Sequence, residues 1–276
     1  MSKKLNSSDA RQEIPIADLS RFREALSALA SGARESIQRH VAQGLNIRRK
    51  ADGSFVTDAD VETEKWMREF VRRSFPDHGL IGEEAEAERP EAPFQWIFDP
   101  IDGTEEFINN IPTYGSIIGL HYKGFPVVSL IDHPALDLCL TASFGQGARR
   151  NGNPVTIGKT PDPNQLRIAL AARKNFFGAA DEGQLFDQIT QAFPNHRIYR
   201  SCYAHVLAAM GAIDAMIEYG NHVWDLAATQ LLIEEAGGRY EIVQDVHTDD
   251  GDHILGAVFG RAEAVQQIIE TIFRRS

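Results

Sequence analysis

The chain reads as an α+β protein whose second half turns α/β, and three patterns carry that reading. Apolar residues first recur at helical spacing, then run in short strands broken by turns, and finally switch repeatedly between strand and helix. Residues 1–15 read as a flexible N-terminus. From residue 16 to about 42, Leu19, Phe22, Leu26, Leu29 and Ile37 recur at helical spacing, which predicts a long amphipathic helix. A second helix is expected from near Asp60, with Val61, Trp66, Phe70 and Val71 inward, ending at Phe75-Pro76-Asp77. Strands follow at about 95–99, 114–122, 125–132 and 136–143, the middle pair joined as a hairpin at Lys123-Gly124. Gly145-Gln146-Gly147-Ala148 and Asn151-Gly152 are turn chemistry, and a strand near 154–157 completes an antiparallel sheet.

Pro161-Asp162-Pro163, doubly broken by proline, is the expected boundary between an N-terminal α+β domain over 16–160 and a C-terminal α/β domain over 161–276. Beyond it, strands are expected at 166–172, 196–200, 215–219, 239–243 and 255–259, and helices at 182–193, 204–211, 225–236 and 262–273. Gly237-Gly238 closes the third of these helices. No internal repeat or low-complexity tract interrupts the pattern.

Composition narrows the class of protein. Lys and Arg total 28 against 39 Asp and Glu, a net charge of −11, so nucleic acid and anionic membranes are not expected partners. No apolar run approaches membrane-spanning length and no signal-peptide core follows the first residues, so a cytoplasmic location is expected. Cys139 and Cys202 have no framework spacing and read as free thiols.

The chemistry concentrates in Trp96-Ile97-Phe98-Asp99-Pro100-Ile101-Asp102-Gly103-Thr104. A buried strand should break at Pro100, two carboxylates converge, and Gly103 and Thr104 open a helix whose amides suit a phosphate. Leu80-Ile81-Gly82-Glu83-Glu84 again sets acids after an apolar strand, and Trp224-Asp225-Leu226-Ala227-Ala228 sets one at the expected start of a helix.

Together these three segments, G-E-E, D-P-[IL]-D-G-T and W-D-x-A-A, resemble the inositol monophosphatase superfamily over roughly residues 20–275. The resemblance implies a layered α-β-α-β-α sandwich and a Mg²⁺-dependent phosphomonoesterase acting on a small phosphorylated alcohol through a metal-activated water. It implies that Glu83, Asp99 and the Ile101 carbonyl hold one metal, and that Asp102 and Asp225 join Asp99 around a second. Asp60, in Val56-Thr57-Asp58-Ala59-Asp60, would reach a weaker third site or serve as a helix N-cap. Thr104 paired with Asp60 is the implied proton route, with Glu83 assisting. Gly103, Thr104, Asp102, Glu218 and Asp225 are the implied substrate contacts. Lys50 matches a basic residue of the family. Inhibition by Li⁺ is implied as well, and a homodimer is expected.

Substrate choice rests on finer matches. Glu105-Glu106-Phe107 departs from the inositol-specific and bisphosphate-nucleotidase patterns, and Glu105 is expected to repel a second phosphate. The segment 107–120 and Ser201-Cys202-Tyr203-Ala204-His205 look like the histidinol-phosphatase branch, with Ser201 standing where that branch has an acid. Histidinol phosphate is therefore narrowly favoured, ahead of inositol 1-phosphate or a broad range of sugar phosphates. A 3′(2′),5′-bisphosphate nucleotidase or a non-catalytic metal-binding module ranks lower. Haloacid-dehalogenase-like phosphatases use D-x-D-G-T with a nucleophilic aspartate, whereas the spacing here is D-x-x-D.

Overall fold

The computed structural model describes residues 11–51, 53–160, 162, 164–176, 183–248 and 252–274. Pro161 and Pro163 of the expected boundary, Glu182 at the start of an expected helix, and most of the N-terminal segment expected to be flexible lie outside the described residues. Helix α1 (Ile16–Gln43) forms where the apolar stripe was read, and Leu19, Phe22, Leu26, Leu29 and Ile37 are all buried. A hairpin of β1 (Ile47–Arg49) and β2 (Phe55–Thr57), which the sequence reading missed, leads into helix α2 (Asp58–Ser74).

Two expectations about α2 are corrected. Its N-cap is Thr57, whose hydroxyl accepts from the Ala59 amide while the Asp60 carboxylate accepts from the Thr57 amide, so Asp60 is the third helical residue of a capping box. Val61 faces solvent, and the buried face runs through Thr63, Glu64, Met67, Arg68 and Val71. That face is rotated from the expected one because it buries a Glu64–Arg68 ion pair that hydrophobicity does not report.

The first sheet follows chain order among the described residues: β3 (Gly79–Gly82), β4 (Phe94–Asp102), β5 (Gly115–Tyr122), β6 (Phe125–His133), β7 (Leu138–Ser143), β8 (Ala148–Arg150) and β9 (Asn153–Val155). Only β3–β4 is parallel. Side chains alternate across it as the pleat requires. Trp96, Phe98, Ile118, Leu120 and Val128 pack with α1 and α2, while Ile97, Ile117 and Ile131 point to the other face. Each such fully buried side chain contributes roughly 1.5–3 kcal/mol.

The second sheet has the order β11 (His196–Ile198), β10 (Ile168–Leu170), β12 (Ala215–His222), β14 (His253–Gly260), β13 (Arg239–His247). It is mixed, with β10 parallel to β11 and β12, and β14 antiparallel to β12 and β13. Helices α5 (Tyr203–Ala209) and α6 (Thr229–Glu235) contribute to one core cluster with residues of both sheets, and α4 (Gln184–Ala192) and α7 (Ala262–Ile268) cover the outer face of the second. The order helices, sheet, helices, sheet, helices is the layered α+β sandwich expected. The apolar core between the sheets is continuous, joining Ile97 and Ile131 to Met216 and Phe259 through Ala204 and Leu231.

Close backbone approach ties the layers together. A Cβ at Gly119 on β5 would lie 2.5 Å from the Ala227 carbonyl oxygen. The half-buried His121 ring, its pKa lowered by desolvation, donates to that oxygen at 2.7 Å. These contacts dock the segment before α6 onto the first sheet.

Candidate active site

The expected break at Pro100 does not occur; β4 continues to Asp102, with a register shift against β5 between Asp99 and Asp102. That bulge places two acids three positions apart at one strand end. Gly103 follows at φ 82°, caps the short helix α3 (Thr104–Ile108), and touches Ser201 so closely that a Cβ would sit 2.8 Å from the serine Cβ. Glycine alone suits both demands. Buried Ile101 and Phe107, packed with Ile37 and Ala59, fix this corner against α1 and α2.

Asp225 does not begin a helix, since α6 starts at Thr229 and residues 224–228 form turns. Its carboxylate accepts from the His222 amide at 2.7 Å, so its place comes from β12 and the docked turn instead of a helix cap. Asp99, Asp102 and Asp225 each offer an oxygen, and these oxygens lie within 4.8 Å of one another. Asp99 also accepts from the Ile101 amide at 3.0 Å, and Asp102 accepts from the Cys202 amide.

Electrostatics sets this trio apart. Burial raises the pKa of Asp99 well above the ordinary range, and the charges of Glu83, Asp102 and Asp225 raise it further. Burial, then Asp102 and Glu83, does the same to Asp225. Like charges crowded and desolvated in this way call for a cation. Every donor is a hard carboxylate oxygen, which suits a hard divalent ion and no soft one.

Glu83 and Glu84 emerge from β3 at the same cleft, both held by the Lys50 ammonium at 2.6 and 2.7 Å. Burial opposes the Lys50 charge, but the two carboxylates overcome it and hold the ammonium above its ordinary range. Burial and Glu83 push Glu84 up to about 7. Lys50 is therefore a partner of the expected ligand Glu83. The Ile101 carbonyl accepts from the Thr104 hydroxyl at 3.2 Å, and that hydroxyl also lies 3.2 Å from the Asp60 carboxylate. Burial, only partly offset by hydrogen bonds from Thr57, pushes Asp60 up to about 6.

Lys50, Glu83, Asp102, Thr104, Glu218 and Asp225 all line one cleft of about 920 Å³. Glu218 is buried, bonded to His205 at 3.0 Å and to the Asn221 amide at 2.8 Å. Thr229 lies 2.9 Å from the other His205 nitrogen, which fixes the ring. Glu105, expected to repel a second phosphate, is paired with Arg200 at 2.7 Å, so its charge is compensated. Ser201 donates to the Thr113 carbonyl at 2.7 Å.

Sequence reasoning gave His205 no site role, although it ends the Ser201–His205 segment likened to one branch of the family, and it missed Asn221 and Arg200, which no local pattern announces. Glu88, in the acidic run after Glu83, is bonded to Arg68 and Arg72 at 3.1 and 2.6 Å. Glu64 and Arg68 were missed although their i, i+4 spacing could have flagged them. Arg68 reaches Glu64 at 2.7 Å and the carbonyls of Ala85 and Glu86 at 2.8 and 2.9 Å, and Glu64 accepts from the Glu84 amide at 2.8 Å. The pair thus ties α2, which carries Asp60, to the loop that carries Glu83. Cys139 and Cys202 are free thiols, and among the described residues no helix is long and apolar enough to cross a membrane.

Comparison with known proteins converges on one group. The profile of the inositol monophosphatase family matches residues 18–267. A histidinol-phosphatase of Chlorobaculum parvum is 33% identical over 71% of this chain and 75% of its own length. A histidinol-phosphatase of Mycobacterium tuberculosis is 34% identical over 77% of this chain and 84% of its own. Among solved structures, the extragenic suppressor protein suhB of Bartonella henselae superposes with a TM-score of 0.80 at 22% identity, covering 93% of this chain and all of that one, a likeness of fold.

Proposed function

Because the chain belongs to the inositol monophosphatase family, we propose that it is a Mg²⁺-dependent phosphatase that favours histidinol phosphate. Members of the family are phosphatases dependent on metal, and the chain is accordingly a phosphoric monoester hydrolase. The observation that carries the chemistry is the trio of buried Asp99 with half-buried Asp102 and Asp225 at the cleft. These residues, with Glu83 and the Ile101 carbonyl at their edge, would hold the cation. A bound Mg²⁺ would polarise phosphoryl oxygens and acidify a water.

The chain's own groups do the rest. Gly103 and Thr104 present the first-turn amides of α3, which have no acceptor within the helix, to the phosphate. Thr104 passes a proton towards Asp60, whose carboxylate is raised to about 6 and so accepts near neutral pH. Lys50 holds Glu83 and Glu84 in place. Glu218, oriented by His205 and Asn221, offers negative charge to the alcohol half, which suits an ammonium group. The two histidinol-phosphatase relatives support the same choice.

Ser201 favours a second reading, because its hydroxyl is spent on the Thr113 carbonyl and brings no charge to an amine. On that reading inositol 1-phosphate or general sugar phosphates are the substrates. Phosphate release from histidinol phosphate and from inositol 1-phosphate, with and without Mg²⁺, decides between them. A kcat/KM for histidinol phosphate no higher than for inositol 1-phosphate refutes the first reading, and activity unaffected by removal of divalent ions refutes both. The expected homodimer and cytoplasmic location belong to the same proposal, and sedimentation equilibrium tests the first.

A further inference from the structure

We propose that Asp245, His247 and His253 form a second metal site, built for a borderline transition-metal ion such as Zn²⁺, on the hairpin of β13 and β14. His247 and His253 are direct cross-strand partners in the antiparallel register, and Asp245 lies two residues before His247, on the same face of its strand. The two imidazoles face each other with centroids 4.1 Å apart and planes at 21°. His253 Nε2 lies 2.7 Å from Asp245 Oδ1. One donor atom from each of the three residues lies within 4.8 Å of the other two.

The donor set decides the ion. Two imidazoles and one carboxylate suit Zn²⁺, Ni²⁺ or Cu²⁺, whereas Mg²⁺ prefers an all-oxygen shell such as the aspartate trio of the cleft. A Zn²⁺ about 2.0–2.1 Å from each donor sets tetrahedral ligands about 3.3 Å apart. The histidine–aspartate pair has to open slightly and the wider pairs have to close, movements that side-chain rotation supplies. The backbone need not move: the Thr248 amide donates to the Asp252 carbonyl at 2.9 Å and the Asp252 amide to the Thr248 hydroxyl at 3.0 Å, which fixes the strand ends. Asp245 and His247 are exposed and His253 is half-buried, so an ion enters without unfolding anything and keeps an open fourth position for water.

The simpler account is a surface ion pair between His253 and Asp245. Among the described residues it gives His247 no polar partner at this place, whereas a shared ion uses all three residues. The site also has a consequence for the cleft. Asp252, next to His253, borders it, so a bound ion would clip β13 to β14 beside its mouth. The inference is independent of which phosphate ester the cleft accepts.

Calorimetric titration of Zn²⁺ into the intact protein, in saturating Mg²⁺, tests it. The wild type, His247→Ala, His253→Ala and Asp225→Asn are compared. The expected result is one Zn²⁺ equivalent that survives in Asp225→Asn and is weakened at least about tenfold in each histidine variant, since loss of a ligand should exceed the effect of losing an outer partner. His247→Gln gives the same readout should the alanine variant fold poorly. Zn²⁺ binding identical in the wild type and both histidine variants, or no equivalent that survives Asp225→Asn, overturns the proposal.

Discussion

Replacing Arg68 by Met should destabilise the protein by about 3–5 kcal/mol, because it leaves the Glu64 carboxylate buried without its cation. The two side chains are 3% and 1% exposed, and the guanidinium also ends the carbonyls of Ala85 and Glu86. Methionine fills the space but answers none of these groups. Arg72 supplies the contrast, since it bonds Glu88 at 2.6 Å but is 45% exposed, and Arg72→Ala should cost at most about 1 kcal/mol. Urea unfolding of the two variants measures the difference. The same loss should loosen the loop carrying Glu83, so residual Arg68→Met protein should need more Mg²⁺ for half-maximal turnover while Arg72→Ala does not. The reasoning fails if the two variants lose similar stability, or if the Arg68→Met metal requirement is unchanged.

Other consequences can be checked directly. Asp99→Asn should abolish phosphate release yet raise the thermal midpoint of the metal-free protein, because burial and like charges disfavour the ionised Asp99; detectable Mg²⁺-dependent turnover would count against the assignment. Glu218→Gln should lower kcat/KM for histidinol phosphate by about ten- to a hundredfold and for inositol 1-phosphate only a few-fold, an equal loss on both refuting a cationic substrate. Gly119→Ala touches no ligand but pushes on the Ala227 carbonyl, 2.5 Å from the added carbon, and should raise the Mg²⁺ requirement by displacing Asp225. His78 is held down to about 4 by burial, against about 6.5 when unfolded, so the folded state binds fewer protons between those values. Stability should fall by about 1–2 kcal/mol, discounted for partial exposure, as pH drops from 6.5 to 4, and His78→Gln should flatten that slope in urea unfolding.

The trio at the cleft was legible because each member lies in a short segment whose local chemistry is unusual: acids at strand ends and in a turn before apolar runs. What the segments could not show is the docking that joins them. Asp225 reaches the first sheet through Gly119 and His121, which carry no mark of a site in the sequence. The inward face of α2 was misjudged for a related reason. A buried ion pair mimics a polar surface in any hydrophobic pattern, so Val61 was drawn inward in place of Glu64 and Arg68. Strands β13 and β14 run several residues beyond the apolar stretches expected, since their ends carry Asp245, His247 and His253 on an exposed hairpin. The Glu218 network depends on His205 and Thr229 from two different helices, and pairing of that kind exists only after folding.

Magnitudes explain why three aspartates can share one corner. Two full charges at 4.8 Å, the distance within which the donor atoms of the trio all lie, repel by about 3 kcal/mol at an effective dielectric constant of 20. Three such pairs reach roughly 10 kcal/mol, as much as the entire stability of an ordinary domain. The trio therefore cannot stand fully ionised by itself, which is the same statement as the raised pKa of Asp99 and Asp225. Protonation relieves the repulsion at the expense of function, and a divalent cation relieves it while keeping every oxygen as a donor. Lys50 cannot take that part, because its ammonium is already shared between Glu83 and Glu84. Metal affinity and folding stability at this site are consequently one linked equilibrium: the packing of β4, β5 and the turn before α6 holds the acids together against their repulsion, and that stored repulsion favours cation binding.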